Sequence, residues 1–171
     1  MLFSNSAIVR AVILVLALTC PAIVWAQATP ARLVGPSGLP LPRFASLASS
    51  EVNVRTGPTT EHPIRWVYSR PGLPVEIVEE SDVWRRIQDP DGETGWVHSS
   101  LLSVRRTVIV TGSGIQELRR SAAADGRIVA RLEPGVIAAF DHCENNWCRV
   151  EVADERGWLP RDAIWGAGPA D

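Results

Sequence analysis

The stretch "RPGLPVEIVEESDVWRRI" at residues 70–87 lines up without a gap on "EPGVIAAFDHCENNWCRV" at residues 133–150. Pro-Gly, Trp and Arg recur at the same offsets in both stretches, and Gly-Trp follows each of them. Upstream, "VNVRTGP" at 52–58 aligns with "QELRRSA" at 116–122 once a single insertion is allowed. Matches that keep their spacing over about fifty residues indicate two copies of one module.

Each copy consists of short β-prone runs separated by Gly and Pro, a pattern typical of an all-β fold. In the turn "DPDG" at 89–92, Pro90 presets the first central residue and Gly92 tolerates a positive φ. A module of this size buries little core, so we expect the copies to pack together. The segment "SVRRTVIV" at 103–110 would join them as a strand-like connector.

The segments "VNVRTGP", "PGLPVEI" and "WRRIQDPDGETGWVHSSLL" resemble a bacterial SH3-like (SH3b) domain of the type found in small secreted Gram-negative proteins. The resemblance covers residues 47–103 and, in degenerate form, 108–166. It implies two tandem small SH3-like barrels, which we bound as repeat 1 (44–103) and repeat 2 (104–171). For function it implies binding of peptides, cell-wall material or partner proteins, and rarely catalysis.

The amino terminus has the layout of a secretory signal peptide over residues 1–26. Arg10 precedes an uncharged apolar run of 16 residues, and small residues favour cleavage after Ala26. An uncleaved membrane anchor is the rival, although the run is short and contains Pro21. Lipidation at Cys20 is a second alternative, with Thr19 a poor fit to the usual motif. We therefore expect a periplasmic or secreted protein without membrane attachment after cleavage.

Residues 27–43 are rich in Pro, Ala and Gly and contain no acidic residue, which predicts a flexible linker. Removing Arg10 with the signal segment leaves 16 of the 17 basic residues, all of them Arg, against 19 acidic residues. A mildly acidic chain does not have the excess of basic residues with which proteins bind nucleic acid.

Cys143 and Cys148 are the cysteines that remain after cleavage, and an exported pair is normally a disulfide. A metal site would need more ligands than nearby His142 supplies, and a redox motif would need closer spacing, so both are weaker alternatives. The turn-forming "ENN" between them predicts a disulfide across a β-hairpin. Repeat 1 has Glu80 and Arg85 at the aligned positions, an acid and a base that could pair across the same hairpin; pairs of this kind contribute well under about 1 kcal/mol when they are exposed.

Residues repeated at matching places are interpreted as architecture rather than as ligand contacts. Trp84 and Ile87 are three apart, so on a regular strand they face opposite sides unless a bulge intervenes. Arg55 and its counterpart are expected to pair with a loop carbonyl or an acid. The repeated set comprises Arg55, Gly72, Trp84, Trp96, Arg119, Gly135, Trp147 and Trp158.

A residue that is present in only one of the two repeats is a better candidate for contact with a ligand. Trp66 and Tyr68 share a face of a strand beside a long loop, and repeat 2 has Ala130 and Leu132 at those positions. Aromatic faces with a nearby cation are used in peptide recognition. The alternative is that the pair packs against the linker or the other barrel. The complete candidate set is Trp66, Tyr68, Arg65, Arg86 and His98.

No motif marks a catalytic nucleophile, and "EE" at 79–80 is expected to be a solvated strand end rather than a catalytic pair. We therefore predict no catalytic residues, no metal and no cofactor. The favoured function is an exported, non-catalytic SH3b-type module that recognises a cell-wall peptide or another envelope peptide. A periplasmic scaffold that recognises a protein partner is the alternative, and a cell-wall hydrolase or its regulator is the weakest of the three.

Overall fold

The computed structural model describes residues 33–168 of the chain. The predicted signal peptide, the cleavage point after Ala26 and the alternative lipidation site at Cys20 lie outside the described residues. No helix among residues 33–168 is long and apolar enough to cross a membrane.

Short β-strands make up most of the described residues, as the repeat pattern predicted. A small hairpin comes first, formed by β1 (Leu33–Val34) and β2 (Pro40–Leu41). Repeat 1 contains β3 (Arg43–Leu47), β4 (Val52–Arg55), β5 (Ile64–Tyr68), β6 (Pro74–Ser81), β7 (Trp84–Gln88), β8 (Thr94–His98) and β9 (Leu102–Ser103). Repeat 2 contains β10 (Thr107–Val110), β11 (Gln116–Arg119), β12 (Ile128–Leu132), β13 (Ile137–Glu144), β14 (Trp147–Val152), β15 (Glu155–Pro160) and β16 (Ile164–Trp165). A 3-10 turn precedes the last strand of each repeat, at Ser99–Leu101 and at Arg161–Ala163.

The two repeats have the same topology. Their seven-stranded sheets run in the orders β5-β4-β8-β7-β6-β3-β9 and β12-β11-β15-β14-β13-β10-β16, which correspond strand for strand. The pairing irregularities also recur, between Val54 and Arg55 in repeat 1 and between Leu118 and Arg119 in repeat 2. The duplication inferred from the sequence is thus confirmed, together with the all-β class.

Each repeat has its own hydrophobic core. In β4 the apolar residues Val52 and Val54 alternate with polar ones, and both valines are fully buried. Burying an aliphatic side chain of this size stabilises a fold by about 1.5–3 kcal/mol. The first core also contains Val75, Ile87 and Val97, and the second contains Val108, Leu118, Cys148, Val150 and Leu159.

The repeats pack against one another, in line with the marginal size of each module. Ile109 of β10 belongs to the core of repeat 1. Phe44 meets Trp165 edge to face, with the ring centroids 5.0 Å apart. Thr107 Oγ1 donates to the carbonyl of Gly72 at 2.6 Å, and Ser46 Oγ donates to the carbonyl of Arg105 at 2.7 Å. Strand β10, predicted as a connector, is therefore an integral strand of the second sheet.

The later part of the predicted linker, residues 33–43, is folded onto repeat 1. Ser37, in the turn between β1 and β2, donates its backbone N–H and its hydroxyl to the Glu80 carboxylate at 2.9 and 2.8 Å. Arg43, the first residue of β3, donates to the same carboxylate at 2.5 Å. We call residues 33–42 the N-terminal hairpin. The remaining part of the predicted linker, 27–32, lies outside the described residues.

The cross-strand pair of Glu80 and Arg85 forms, but the expectation that residues 79–80 form a solvated strand end was wrong for Glu80. The two residues are directly opposite one another, and Arg85 Nε lies 3.1 Å from Glu80 Oε1. The Glu80 side chain has no exposed surface, because the N-terminal hairpin covers it. Glu79, by contrast, is exposed beside Arg86, so only one of the two adjacent acids is solvated.

The disulfide between Cys143 and Cys148 is confirmed. The residues are a directly opposed pair on β13 and β14, and Asn145 and Asn146 at the tip take positive φ values of 45° and 69°. Asparagine tolerates this conformation, which explains the turn-forming sequence between the cysteines. The bond takes the place that the Glu80–Arg85 pair occupies in repeat 1.

Replacing both cysteines with alanine is expected to lower the free energy of unfolding by about 2 kcal/mol, because the small closed loop no longer restricts the unfolded chain. Urea denaturation of the reduced native protein should show this loss, and the alanine variant should lose somewhat more, because Cys148 is also fully buried in the second core. An unchanged denaturation midpoint in both would contradict the prediction.

Candidate functional site

The aromatic pair of repeat 1 lies on β5, the edge strand of its sheet. Trp66 and Tyr68 point to the same side as Val54 and Val52, their partners on β4, and both pack on the core while remaining partly exposed. Their rings meet edge to face with centroids 6.0 Å apart. The alternation of β5 therefore places one flank of each ring on the core and leaves both side chains partly exposed.

Tyr68 is fixed by a buried carboxylate. Its hydroxyl donates to Asp89 Oδ2 at 2.6 Å, while Asp89 Oδ1 accepts the backbone N–H groups of Asp91 and Glu93 at 3.0 and 2.9 Å. Burial, together with the hydrogen bond to Asp89, raises the pKa of Tyr68 well above its usual range. Tyr68 is thus a neutral hydrogen-bond donor whose proton is committed to the protein.

Arg65 covers one face of the indole. Its Cζ lies 4.9 Å from the centroid of the Trp66 ring, a cation–π distance, and its Nη1 donates to the carbonyl of Thr94 at 3.1 Å. Gly95 lies close to the edge of the ring, since a Cβ added to it would stand 3.6 Å from Trp66 Cη2. Arg65, Trp66 and Tyr68 therefore form one preorganised cluster, which we call the aromatic cluster.

The other two candidate residues lie elsewhere. Arg86 is opposite Trp96 and donates to Glu79 at 3.3 Å, and His98 is opposite Trp84. These side chains occupy the sheet face opposite to Gly95, whose missing side chain would point to Trp66. The structure therefore separates Arg86 and His98 from the aromatic cluster. His98 has a local role, since its Nδ1 accepts the N–H of Ser100 at 3.2 Å and caps the 3-10 turn.

The register also places the repeated tryptophans. The ladder between β7 and β8 has no register shift, so Trp84 and Ile87 face opposite sides and Trp84 lies on the outer one. Trp84 is nevertheless buried, and its ring contacts His98 edge to face with a centroid distance of 5.4 Å. Trp96, Trp147 and Trp158 occupy outer-face positions as well.

The repeated arginines hold the loop that follows their strand. Arg55 Nη1 donates to the carbonyls of Thr60 and His62 at 2.9 and 2.7 Å. Arg119 Nη1 donates to the carbonyl of Gly126 at 2.7 Å in the matching loop. The repeated glycines, Gly72 and Gly135, take φ values of 77° and 88°, which favour glycine.

A cleft of about 630 Å³ lies where the N-terminal hairpin and β3 approach the disulfide hairpin of repeat 2. Its walls include Pro42, Phe44, Arg106, Phe140 and Arg161. Sequence reasoning missed this cleft because its walls come from distant parts of the chain, and no motif marks any of them. We call it the inter-repeat cleft.

Among residues 33–168, no group of three or more His, Cys, Asp or Glu side chains is placed to hold a metal ion. The expectation that the protein uses no metal or cofactor remains a prediction.

The model of the family described as "Bacterial SH3 domain" matches residues 48–103 and 112–166. A protein of Bacillus subtilis (strain 168) named "Putative N-acetylmuramoyl-L-alanine amidase YrvJ" is 25% identical in an alignment of 134 residues that covers 72% of this chain and 26% of that protein. The chain thus spans about a quarter of the length of this curated relative.

Similar solved structures include NlpC2 from Trichomonas vaginalis, with a TM-score of 0.33 and 10% identity over 72% of this chain and 48% of that one. An NlpC/P60 family protein from Bacillus cereus ATCC 10987 has a TM-score of 0.32 and 11% identity over 71% of this chain and 55% of that one. The family model matches more than half of the chain and covers six of the seven strands of each sheet, leaving out β3 and β10. The chain belongs to the bacterial SH3 domain family.

Proposed function

We propose that the chain is an exported, non-catalytic binding module whose aromatic cluster recognises a peptide of the cell wall or another envelope peptide. The observation that carries the proposal is the preorganisation of Trp66 between Arg65 and Tyr68 in repeat 1 alone. In repeat 2 the partners of Leu118 and Gln116 on the edge strand are Ala130 and Leu132, so that copy lacks the rings.

The surroundings of the aromatic cluster suit an extended peptide. Strand β5 is the last strand at its end of the sheet, and an extended segment can add to a sheet edge through its main chain. Ile64 and Val67 on this strand are exposed by 46% and 49%, which adds apolar contact area beside Trp66. Trp and Tyr supply large contact areas, and rings held in place lose little entropy on binding.

Relatives and local chemistry support the remaining parts of the proposal. A relative carries the name "Putative N-acetylmuramoyl-L-alanine amidase YrvJ", and this name supports a ligand in the cell wall and a periplasmic or secreted location. The two cysteines within residues 33–168 are bonded to each other, so neither is a thiol nucleophile. Asp89 is occupied by Tyr68 and two backbone N–H groups, which is a structural use of a buried acid.

Binding to purified peptidoglycan sacculi tests this function. We expect the native protein to be retained and Trp66→Ala to bind about thirtyfold more weakly, because a central Trp in an interface contributes about 2 kcal/mol or more. Sedimentation with sacculi over a range of protein concentrations measures the difference. No soluble wall fragments should appear during the incubation.

Trp158→Ala is the matched control, since it removes an indole of the same size from the outer face of repeat 2. Thermal unfolding of both variants separates lost binding from lost structure. Equal loss of retention in both variants would contradict a site at Trp66. If the native protein is not retained and cross-linking in cells captures a protein through the Trp66 surface, the scaffold alternative replaces the wall ligand.

A further inference from the structure

Arg65 is the charged residue of the aromatic cluster, and its guanidinium group is held in one place. The residue is exposed, yet Nη1 donates to the carbonyl of Thr94 and Cζ lies 4.9 Å from the centroid of the Trp66 ring. A side chain that is already held loses less conformational entropy when a ligand binds. Repeat 2 has Val129 at the aligned position, so this cation, like the two rings, belongs to repeat 1 alone.

Most of the hydrogen-bonding capacity of this guanidinium group is unused. An arginine side chain carries several N–H donors in one plane, and Thr94 accepts from a single one of them. Within residues 33–168, no hydrogen bond uses Nε or Nη2 of Arg65, and no ion pair includes it. Two parallel N–H groups on one edge of a guanidinium match the two oxygens of a carboxylate.

The corresponding edge of repeat 2 contains its own counter-charge. There Glu117 pairs with Arg119 at 2.5 Å and lies 3.9 Å from Arg131 of the edge strand. The strand pairing aligns Glu117 with Asn53, so repeat 1 has a neutral amide where repeat 2 has a carboxylate. The positive charge of Arg65 is therefore not neutralised by an acid from the described part of its own chain.

We infer that the ligand of the aromatic cluster is an acidic peptide, whose carboxylate accepts hydrogen bonds from Nε and Nη2 of Arg65 while the rest of the peptide contacts Trp66. This inference rests on the proposed function and specifies the ligand's charge. A neutral peptide binds more weakly, because it covers the guanidinium group without supplying a counter-charge. The carboxylate belongs to an acidic side chain or to a free carboxyl terminus, which present the same two oxygens.

The test compares untreated sacculi with sacculi whose carboxylates have been converted to methylamides by a carbodiimide and methylamine. We expect the native protein to bind the untreated sacculi about tenfold more tightly, because hydrogen bonds to charged groups are stronger than those between neutral groups. Arg65→Gln should bind both preparations equally and more weakly than the native protein binds untreated sacculi. Added salt should weaken native binding more than it weakens binding of Arg65→Gln.

Arg156→Gln is the matched control, since it changes the net charge by the same amount. The Arg156 side chain lies in repeat 2 and is 67% exposed. This variant should keep the full preference of the native protein for untreated sacculi. Thermal unfolding should show that both glutamine variants are folded.

Competition with two soluble peptides identifies the source of the carboxylate. Acetyl-Ala-Glu-Ala-amide carries it on a side chain, and acetyl-Ala-Gln-Ala carries it at the carboxyl terminus. The peptide that displaces the native protein from sacculi at the lower concentration has the carboxylate in the preferred place. Displacement by the uncharged acetyl-Ala-Gln-Ala-amide as effective as by either charged peptide would overturn the inference.

The outcomes separate this inference from the function on which it rests. If the native protein binds both kinds of sacculi equally while Trp66→Ala still loses retention, the proposed function stands and the acidic ligand is wrong. If Arg156→Gln loses the preference as fully as Arg65→Gln does, the attraction is non-specific and the inference is again overturned. If neither preparation retains the native protein, the proposed recognition of the cell wall itself fails.

Discussion

Replacing Glu80 with alanine is expected to lower the free energy of unfolding by about 3 kcal/mol. The side chain is fully buried and pairs with Arg43 at 2.5 Å and with Arg85 at 3.1 Å, whose side chains are only 19% and 13% exposed. Its removal leaves two largely desolvated guanidinium groups without their counter-charge. It also releases Ser37, so the N-terminal hairpin loses the contacts that hold it on repeat 1.

The contribution of Glu80 should depend on pH. Burial alone would raise the pKa of its carboxyl group, but hydrogen bonds from Ser37 and Arg43 outweigh that effect and lower it from 4.5 to about 2. Between these values the unfolded chain binds a proton that the folded chain does not. The stabilisation is therefore complete above about pH 5 and is lost as the pH falls towards 2. Urea denaturation between pH 2 and 7 should show that acidification lowers the free energy of unfolding less in Glu80→Ala than in the native protein.

Glu79→Ala is the matched control, because it removes the same group from the adjacent residue. Glu79 and Arg86 are about half exposed, and their side chains are 3.3 Å apart, so this change should alter the free energy of unfolding by less than about 1 kcal/mol. If Glu80→Ala lowers the free energy of unfolding as little as Glu79→Ala does, the ion pairs of Glu80 with Arg43 and Arg85 do not stabilise the N-terminal hairpin.

The sequence predicted the duplication because Trp, Pro-Gly and Gly-Trp keep their spacing in both copies, and this spacing reflects strand pairing. The same alignment correctly placed Glu80 opposite Arg85 and Cys143 opposite Cys148. It could not show that Glu80 is buried. The covering groups come from a Pro- and Gly-rich segment that lacks β periodicity, so nothing in its pattern predicts docking onto repeat 1.

The candidate site was predictable where it depended on one strand and not where it depended on several. Alternation along β5 placed Trp66 and Tyr68 on one face. Whether Arg86 and His98 join them depends on the register of β7 and β8, and that register puts both on the opposite face. The inter-repeat cleft depends on how the two barrels pack, for which a repeat alignment carries no information.

Gly157→Ala is expected to lower the free energy of unfolding by about 3 kcal/mol, near the upper end of the effect of overpacking a core. A Cβ at Gly157 would lie 2.6 Å from the carbonyl oxygen of Arg119 and 2.7 Å from Cγ of the buried Leu118. The first is a backbone atom at the point where β11 pairs with β15, so it cannot move without separating those strands. Chemical denaturation measures the loss.

Gly95→Ala should lower the free energy of unfolding by a similar amount in repeat 1, at the point where β4 pairs with β8. The added Cβ would lie 2.3 Å from Val54 Cγ1 and 3.2 Å from the carbonyl oxygen of Arg55. Gly112→Ala is the control, since its Cβ would meet only the flexible end of Gln116, and we expect a change below about 1 kcal/mol. If all three variants are equally stable, the glycine of the recurring Gly-Trp pair is not needed where these strands pair. If only Gly95→Ala and Gly157→Ala lower the free energy of unfolding, the glycine is what allows β4 and β11 to approach β8 and β15 closely. The adjacent Trp then faces outward because side chains alternate along a strand.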